Sequence, residues 1–168
     1  MRWLSFFIFA YIALGLETGL ARAIEWKSAS PDLVLIAAIF IAMSAPRDTA
    51  LLACFILGAL HDLTGLGTLG LYAFSYGAAA VFIVSIQQAV DRRNPVAQFV
   101  LTAIAGTIVA IVVSVHGWIR PPLPGVHAPV LPLFYSAIYS AILAPFILAG
   151  LQQIRGVFHF QSSRGGRM

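Results

Sequence analysis

Charge is what this sequence has least of. Asp, Glu, Lys and Arg make up 10% of its 168 residues, against about 25% in an ordinary soluble domain. That deficit excludes a water-facing surface over most of the chain. Cysteine is nearly absent as well: Cys54 stands alone in an apolar run, which excludes a disulfide framework and a Cys-based zinc spacing and leaves it a small buried apolar residue. Signatures of catalysis are missing in the same way. There is no HExxH, no GxSxG, no P-loop and no paired cysteine, so no reaction is written into a motif and no enzyme is expected. His116 and His127 flank a proline-rich stretch, but their spacing matches no metal site; neither metal nor cofactor is expected. The basic residues are scattered singly or as the pair Arg92-Arg93. The formal charge of +4 and the pI near 9.7 therefore form no basic stripe, and nucleic acid is not an expected partner.

What is present is hydrocarbon. Hydrophobic residues make up 60% of the chain and mean hydropathy is +0.92, values that make lipid the expected solvent. The length suits one all-α integral membrane bundle of about six transmembrane helices. We place that single domain at residues 1–155, followed by a basic, glycine-containing tail at 156–168 expected to be disordered on the cytoplasmic side.

The first apolar segment covers residues 3–20 and carries Glu17 near its far end. Ala21-Arg22-Ala23 resembles a signal-peptide cleavage site, but the long, aromatic-rich run fits a retained first helix better. Ser30-Pro31-Asp32 reads as a helix start, with Ser as N-cap, Pro at the first helical position and an acid in the first turn. The uncharged run behind it, residues 33–45, covers only about 20 Å of a roughly 30 Å core, so the second helix is expected to include its acid. The third run has the same shortfall, and extending it over residues 47–64 restores a crossing of about 27 Å. A re-entrant hairpin is the rival geometry for these two. Further segments follow at 69–90, 96–118 and 130–154, with Pro145 as an expected kink in the last. The connection at 117–132 holds five prolines and reads as a stiff extended loop.

Alternating sides over six spans put Arg2, Arg47, Arg92, Arg93, Arg155, Arg164 and Arg167 on one face and Arg22, Lys27 and Arg120 on the other. By the positive-inside rule both termini are cytoplasmic. Glu17, Asp32, His61 and Asp62 then share one depth in the outer half, although they come from three segments. Either each caps its helix at the interface, or they converge on an outward pocket or on a partner's helix, since intramembrane carboxylates face the protein interior and pair. His61 and Asp62 are sequence neighbours whose side chains diverge by about 100° on a helix, so they do not form a dyad. Small residues recur every fourth position at Ala73 and Gly77, at Thr102, Gly106 and Ala110, and at Ser136, Ser140 and Ala144; such faces let helices approach closely. Tyr135 and Tyr139 form a one-turn aromatic pair expected in the core or at an interface.

Ser30-Pro31-Asp32-Leu33, followed at the right distance by Gly58, Asp62, Leu63, Gly65, Leu69 and Gly70, resembles the rod shape-determining protein MreD family, a likeness that extends over most of the chain. His61 departs from it, because an aliphatic residue is expected before that acid. The resemblance implies a non-catalytic scaffold of the bacterial inner membrane, needed for rod shape and lateral peptidoglycan synthesis. It also implies binding to the bitopic protein MreC and, indirectly, to MreB, RodA and a penicillin-binding protein. The six-span arrangement is similar to the S-component fold of energy-coupling-factor transporters. An alternative is therefore a small-molecule-binding subunit of a vitamin-type transporter, with Trp26, Tyr72 and Tyr76 as pocket walls. The candidate structural or partner-binding residues are Glu17, Pro31, Asp32, Gly58, His61, Asp62, Gly65 and Gly70.

Overall fold

Lipid-compatible runs separated by short polar breaks fold into helices, because a backbone surrounded by hydrocarbon must bond to itself. The computed structural model describes residues 3–21, 30–64, 69–86, 94–119 and 130–154, whose regular structure is helical with no strand among them. Helix α1, Trp3–Leu16, continues into a π-helical turn, Glu17–Ala21. Then come α2, Leu33–Ser44; α3, Arg47–Thr64; α4, Leu71–Ile86; α5, Pro95–Ile119; and α6, Val130–Ile154. The expected third and sixth segments match α3 and α6, and Pro145 lies inside α6.

The short helix α2 is the axis of the bundle. Every residue from Leu33 to Ser44 is buried, and α2 touches α1, α3, α4, α5 and α6. The closest pairings around it are α3 with α4 and α5 with α6. Two glycines set those pairings. A Cβ on Gly58 would lie 2.5 Å from the Tyr72 carbonyl oxygen and 2.7 Å from the Ala73 Cα, and one on Gly106 would lie 2.8 Å from the Ala137 Cβ. The expected small-residue faces are thus spent inside the bundle, between α3 and α4 and between α5 and α6. Tyr135 does not join the core; it is 55% exposed on the rim.

Large apolar side chains cover the outside. Leu4, Phe7 and Tyr11 of α1, Leu52 and Phe55 of α3, Phe74 of α4, Val100 and Ile111 of α5, and Ile138 and Phe146 of α6 are all exposed. Ser44, Asp62, Ser75, Gln98, Thr102 and Ser140 are buried. The core is itself mainly apolar, so it is the apolar surface that departs from the usual distribution for a protein in water. Residues 95–119 and 131–152 are long and apolar enough to cross a membrane, whereas the apolar helices at 3–19, 33–44 and 71–86 are shorter.

The start of α2 differs from the expected one. Asp32 is the N-cap, in extended conformation, and the helix begins at Leu33, so the acid lies outside the helix and Ser30 does not cap it. At about 18 Å, α2 is too short to cross a bilayer alone. It has no need to, because protein encloses it and its free N–H groups are satisfied by side chains rather than by headgroups.

Candidate functional site

The starts of α2 and α4 lie side by side, and each carries the unpaired N–H groups and positive dipole end that any helix start presents. Carboxylates meet both. In α2, Leu35 N–H donates to Asp32 Oδ1 at 2.7 Å, while Leu33 and Val34 N–H donate to Glu17 Oε2 at 2.6 and 3.3 Å. The next amide, Ile36 N–H, makes the first intrahelical bond, to the Asp32 carbonyl. Two acids therefore satisfy all three free amides of the first turn. Glu17 can reach them because it continues the buried face of α1, formed by Phe6, Ala10 and Ala13. The π-helical turn opens at that residue, and Thr18 Oγ1 bonds the Leu14 and Gly15 carbonyls there.

At α4 the same task falls to one residue from another helix. Asp62, in the last turn of α3, accepts from Gly70 and Ala73 N–H on Oδ2 and from Tyr72 N–H on Oδ1, each at 3.0 Å. It is only 5% exposed. Gly58, one turn earlier, brings α3 against the start of α4 closely enough for Asp62 to reach. Gly70, at φ +94°, turns the chain so that its own N–H points back to the carboxylate; that φ suits glycine.

Side chains from α4 and α6 close the cluster. Tyr76 O–H lies 2.9 Å from both Asp32 carboxylate oxygens, as a donor shared between them. Asp32 N–H donates to Ser140 Oγ at 2.7 Å, and Ser136 Oγ donates to the Ser30 carbonyl at 2.6 Å. Pro31, fully buried between them, has no N–H to satisfy. His61 points away from Asp62. Its ring meets Tyr72 edge-on with centroids 4.5 Å apart and lies nearly parallel to Tyr76 at 5.8 Å. Its Nδ1 is buried without a hydrogen-bond partner.

The structure therefore brings together Glu17, Pro31, Asp32, Gly58, His61, Asp62 and Gly70; Gly65 lies outside the described residues, as does Trp26. Asp32 caps its own helix, as the capping expectation has it, whereas Glu17 and Asp62 meet the starts of helices other than their own. Sequence reasoning named Tyr76, Ser136 and Ser140 only as pocket wall and packing residues and missed their hydrogen bonds to the 30–32 segment. The available signal was the one-turn spacing of two hydroxyls, 136 and 140, in an otherwise apolar helix.

Chemically, the cluster holds helices. Each of the three acids has carboxylate oxygens committed to amides, and Tyr76 spans both oxygens of Asp32. One cavity among the described residues lies elsewhere: an open, mainly apolar groove of about 380 Å³ lined by residues such as Leu71, Phe74, Val112 and Ile119 of α4 and α5.

No curated protein and no solved structure matches the chain. The model of one family does, over residues 1–154, a stretch that includes all six helices and every residue of the carboxylate cluster. The chain belongs to the family of the rod shape-determining protein MreD.

Proposed function

We propose that this protein is a non-catalytic, multi-pass scaffold of the bacterial inner membrane, needed for rod shape and lateral peptidoglycan synthesis. Family membership supports the role in rod shape. One structural observation carries the scaffold reading: the buried carboxylates are turned on the helix starts of their own bundle, which fixes the mutual positions of α1, α2, α3, α4 and α6. A rigid bundle with an apolar rim can hold partner helices by packing, as helices associate in lipid.

In this reading both termini are cytoplasmic, residues 1–155 form one domain and 156–168 a tail. The partner is the transmembrane helix of MreC, with MreB, RodA and a penicillin-binding protein linked through it. Glu17, Pro31, Asp32, Gly58, His61, Asp62, Gly65 and Gly70 serve the partner indirectly, by setting the shape of the rim. The vitamin-type transporter alternative, with its S-component-like fold, finds less support. A ligand pocket needs several polar groups left free for the ligand, and here the acids are bonded to backbone amides and to Tyr76, which leaves His61 Nδ1 as the buried polar atom without a partner among the described side chains of the cluster.

The test is recovery of MreC from native membranes with this protein as bait, together with cell morphology on depletion. MreC enriched over a bait-free control and loss of rod shape are expected. Equal MreC recovery with and without the bait contradicts the partner assignment. A ligand screen addresses the alternative, since a true ligand at 100 times its Kd adds about 2.7 kcal/mol of stability.

A further inference from the structure

Helix α1 is attached to this bundle differently from the others. Among the described residues it touches α2, α3 and its own π-helical turn, and it does not approach α4, α5 or α6. Four of its residues, Phe6, Phe9, Ala10 and Ala13, are buried, and two of these are alanines with little surface to contribute. Trp3, Leu4, Phe7, Ile8, Tyr11 and Ile12 are exposed. Contrast α2, buried along its whole length. The buried share of α1 is similar to that of α5 and α6, but those two pack closely on each other whereas α1 has no such neighbour, and weakly packed segments open most readily.

Among the described residues, polar attachment of this N-terminal arm to the bundle runs through one side chain. Within residues 3–21, Glu17 alone makes described hydrogen bonds to another helix, at Leu33 and Val34 N–H. It does so from a π-helical turn, a departure from regular winding that recurs at functional positions in helices. The rest of the cluster does not depend on α1: Asp32 is held by Leu35, Tyr76 and Ser140, and Asp62 by residues 70–73.

We propose that residues 3–21 are a separately latched element, with Glu17 as the latch. Opening swings α1 off the bundle, uncovers the α1-facing side of α2, including Phe40, and frees the Leu33 and Val34 amides, while α2–α6 keep their arrangement. This device is independent of whether MreC is the partner.

Hydrogen exchange of the full-length protein in lipid nanodiscs, read helix by helix, tests it with the wild type, Glu17→Gln and Glu17→Leu. In the wild type the main-chain amides of α1 are expected to exchange faster than those of α2, α5 and α6. Glu17→Leu leaves two buried amides without an acceptor and should speed exchange in α1 and at Leu33 and Val34 by about tenfold or more, with α5 and α6 unchanged. Glu17→Gln retains an acceptor oxygen and should fall between the two. The proposal is overturned if α1 is protected as well as α5 and α6 in the wild type, if Glu17→Leu leaves α1 unchanged, or if it speeds all helices equally.

Discussion

Asp62 accepts three backbone N–H bonds from a position 5% exposed. Asp62→Ala therefore strands three donors at the start of α4, where water cannot easily replace the carboxylate. A buried donor left unpaired costs about 1–3 kcal/mol, so a loss on the order of 3 kcal/mol is expected in denaturant titrations of the detergent-solubilised protein. His61→Ala removes only ring contacts with Tyr72 and Tyr76, worth about 1 kcal/mol. Equal losses for the two variants would mean that the carboxylate is not what holds the turn. Tyr76→Phe deletes the hydroxyl shared by both Asp32 oxygens and should cost about 2 kcal/mol, the scale of a bond to a charged group. At this scale the sequence made the acids legible, because an Asp or Glu inside an apolar run is costly and calls for an explanation. Their partners were not legible. The Ser140 hydroxyl bonded to Asp32 lies 108 positions away, and Glu17 reaches across 16.

Among the elements, the α3–α4 pair is set by one missing side chain. Gly58→Ala drives a methyl group into the Tyr72 carbonyl and the Ala73 Cα, so α3 and α4 must separate and Asp62 loses its reach. Overpacking of this kind costs about 1–3 kcal/mol, and the loss should be coupled to that of Asp62→Ala in a double-mutant cycle. Gly15→Ala provides the contrast. Nothing lies within 4 Å of its added methyl group, and helix propensity should make it neutral or stabilising by up to about 1 kcal/mol. If Gly58→Ala behaves like Gly15→Ala, the close approach of α3 to α4 is not tight in solution. Run length and breaker residues sufficed to place α3 and α6, because Pro46, the His61-Asp62 turn and the proline-rich connection interrupt hydrophobicity sharply. They misplaced the start of α2 by two residues. Ser30-Pro31 has the composition of a cap and first helical position, but the Ser30 carbonyl is taken by Ser136 and the Asp32 amide by Ser140. A tertiary contact overrode the local pattern.

The whole molecule is polar at selected points inside and apolar around its rim, an arrangement that suits lipid. The sequence conveyed this through composition alone, but not the central place of α2: its short apolar run looks the same whether lipid or protein surrounds it. The proposed topology makes its own prediction. Single cysteines introduced at residues 120–129 should be labelled by an impermeant maleimide from outside, and those at 87–93 only after the membrane is opened; the reverse pattern would invert the orientation. For function, the most direct measurement is the length-to-width ratio of cells depleted of their own copy and supplied with the wild type, Asp62→Ala or His61→Ala at matched expression. The account predicts rods with the wild type and with His61→Ala, and rounded cells with Asp62→Ala. Rods of wild-type proportions with Asp62→Ala would contradict it.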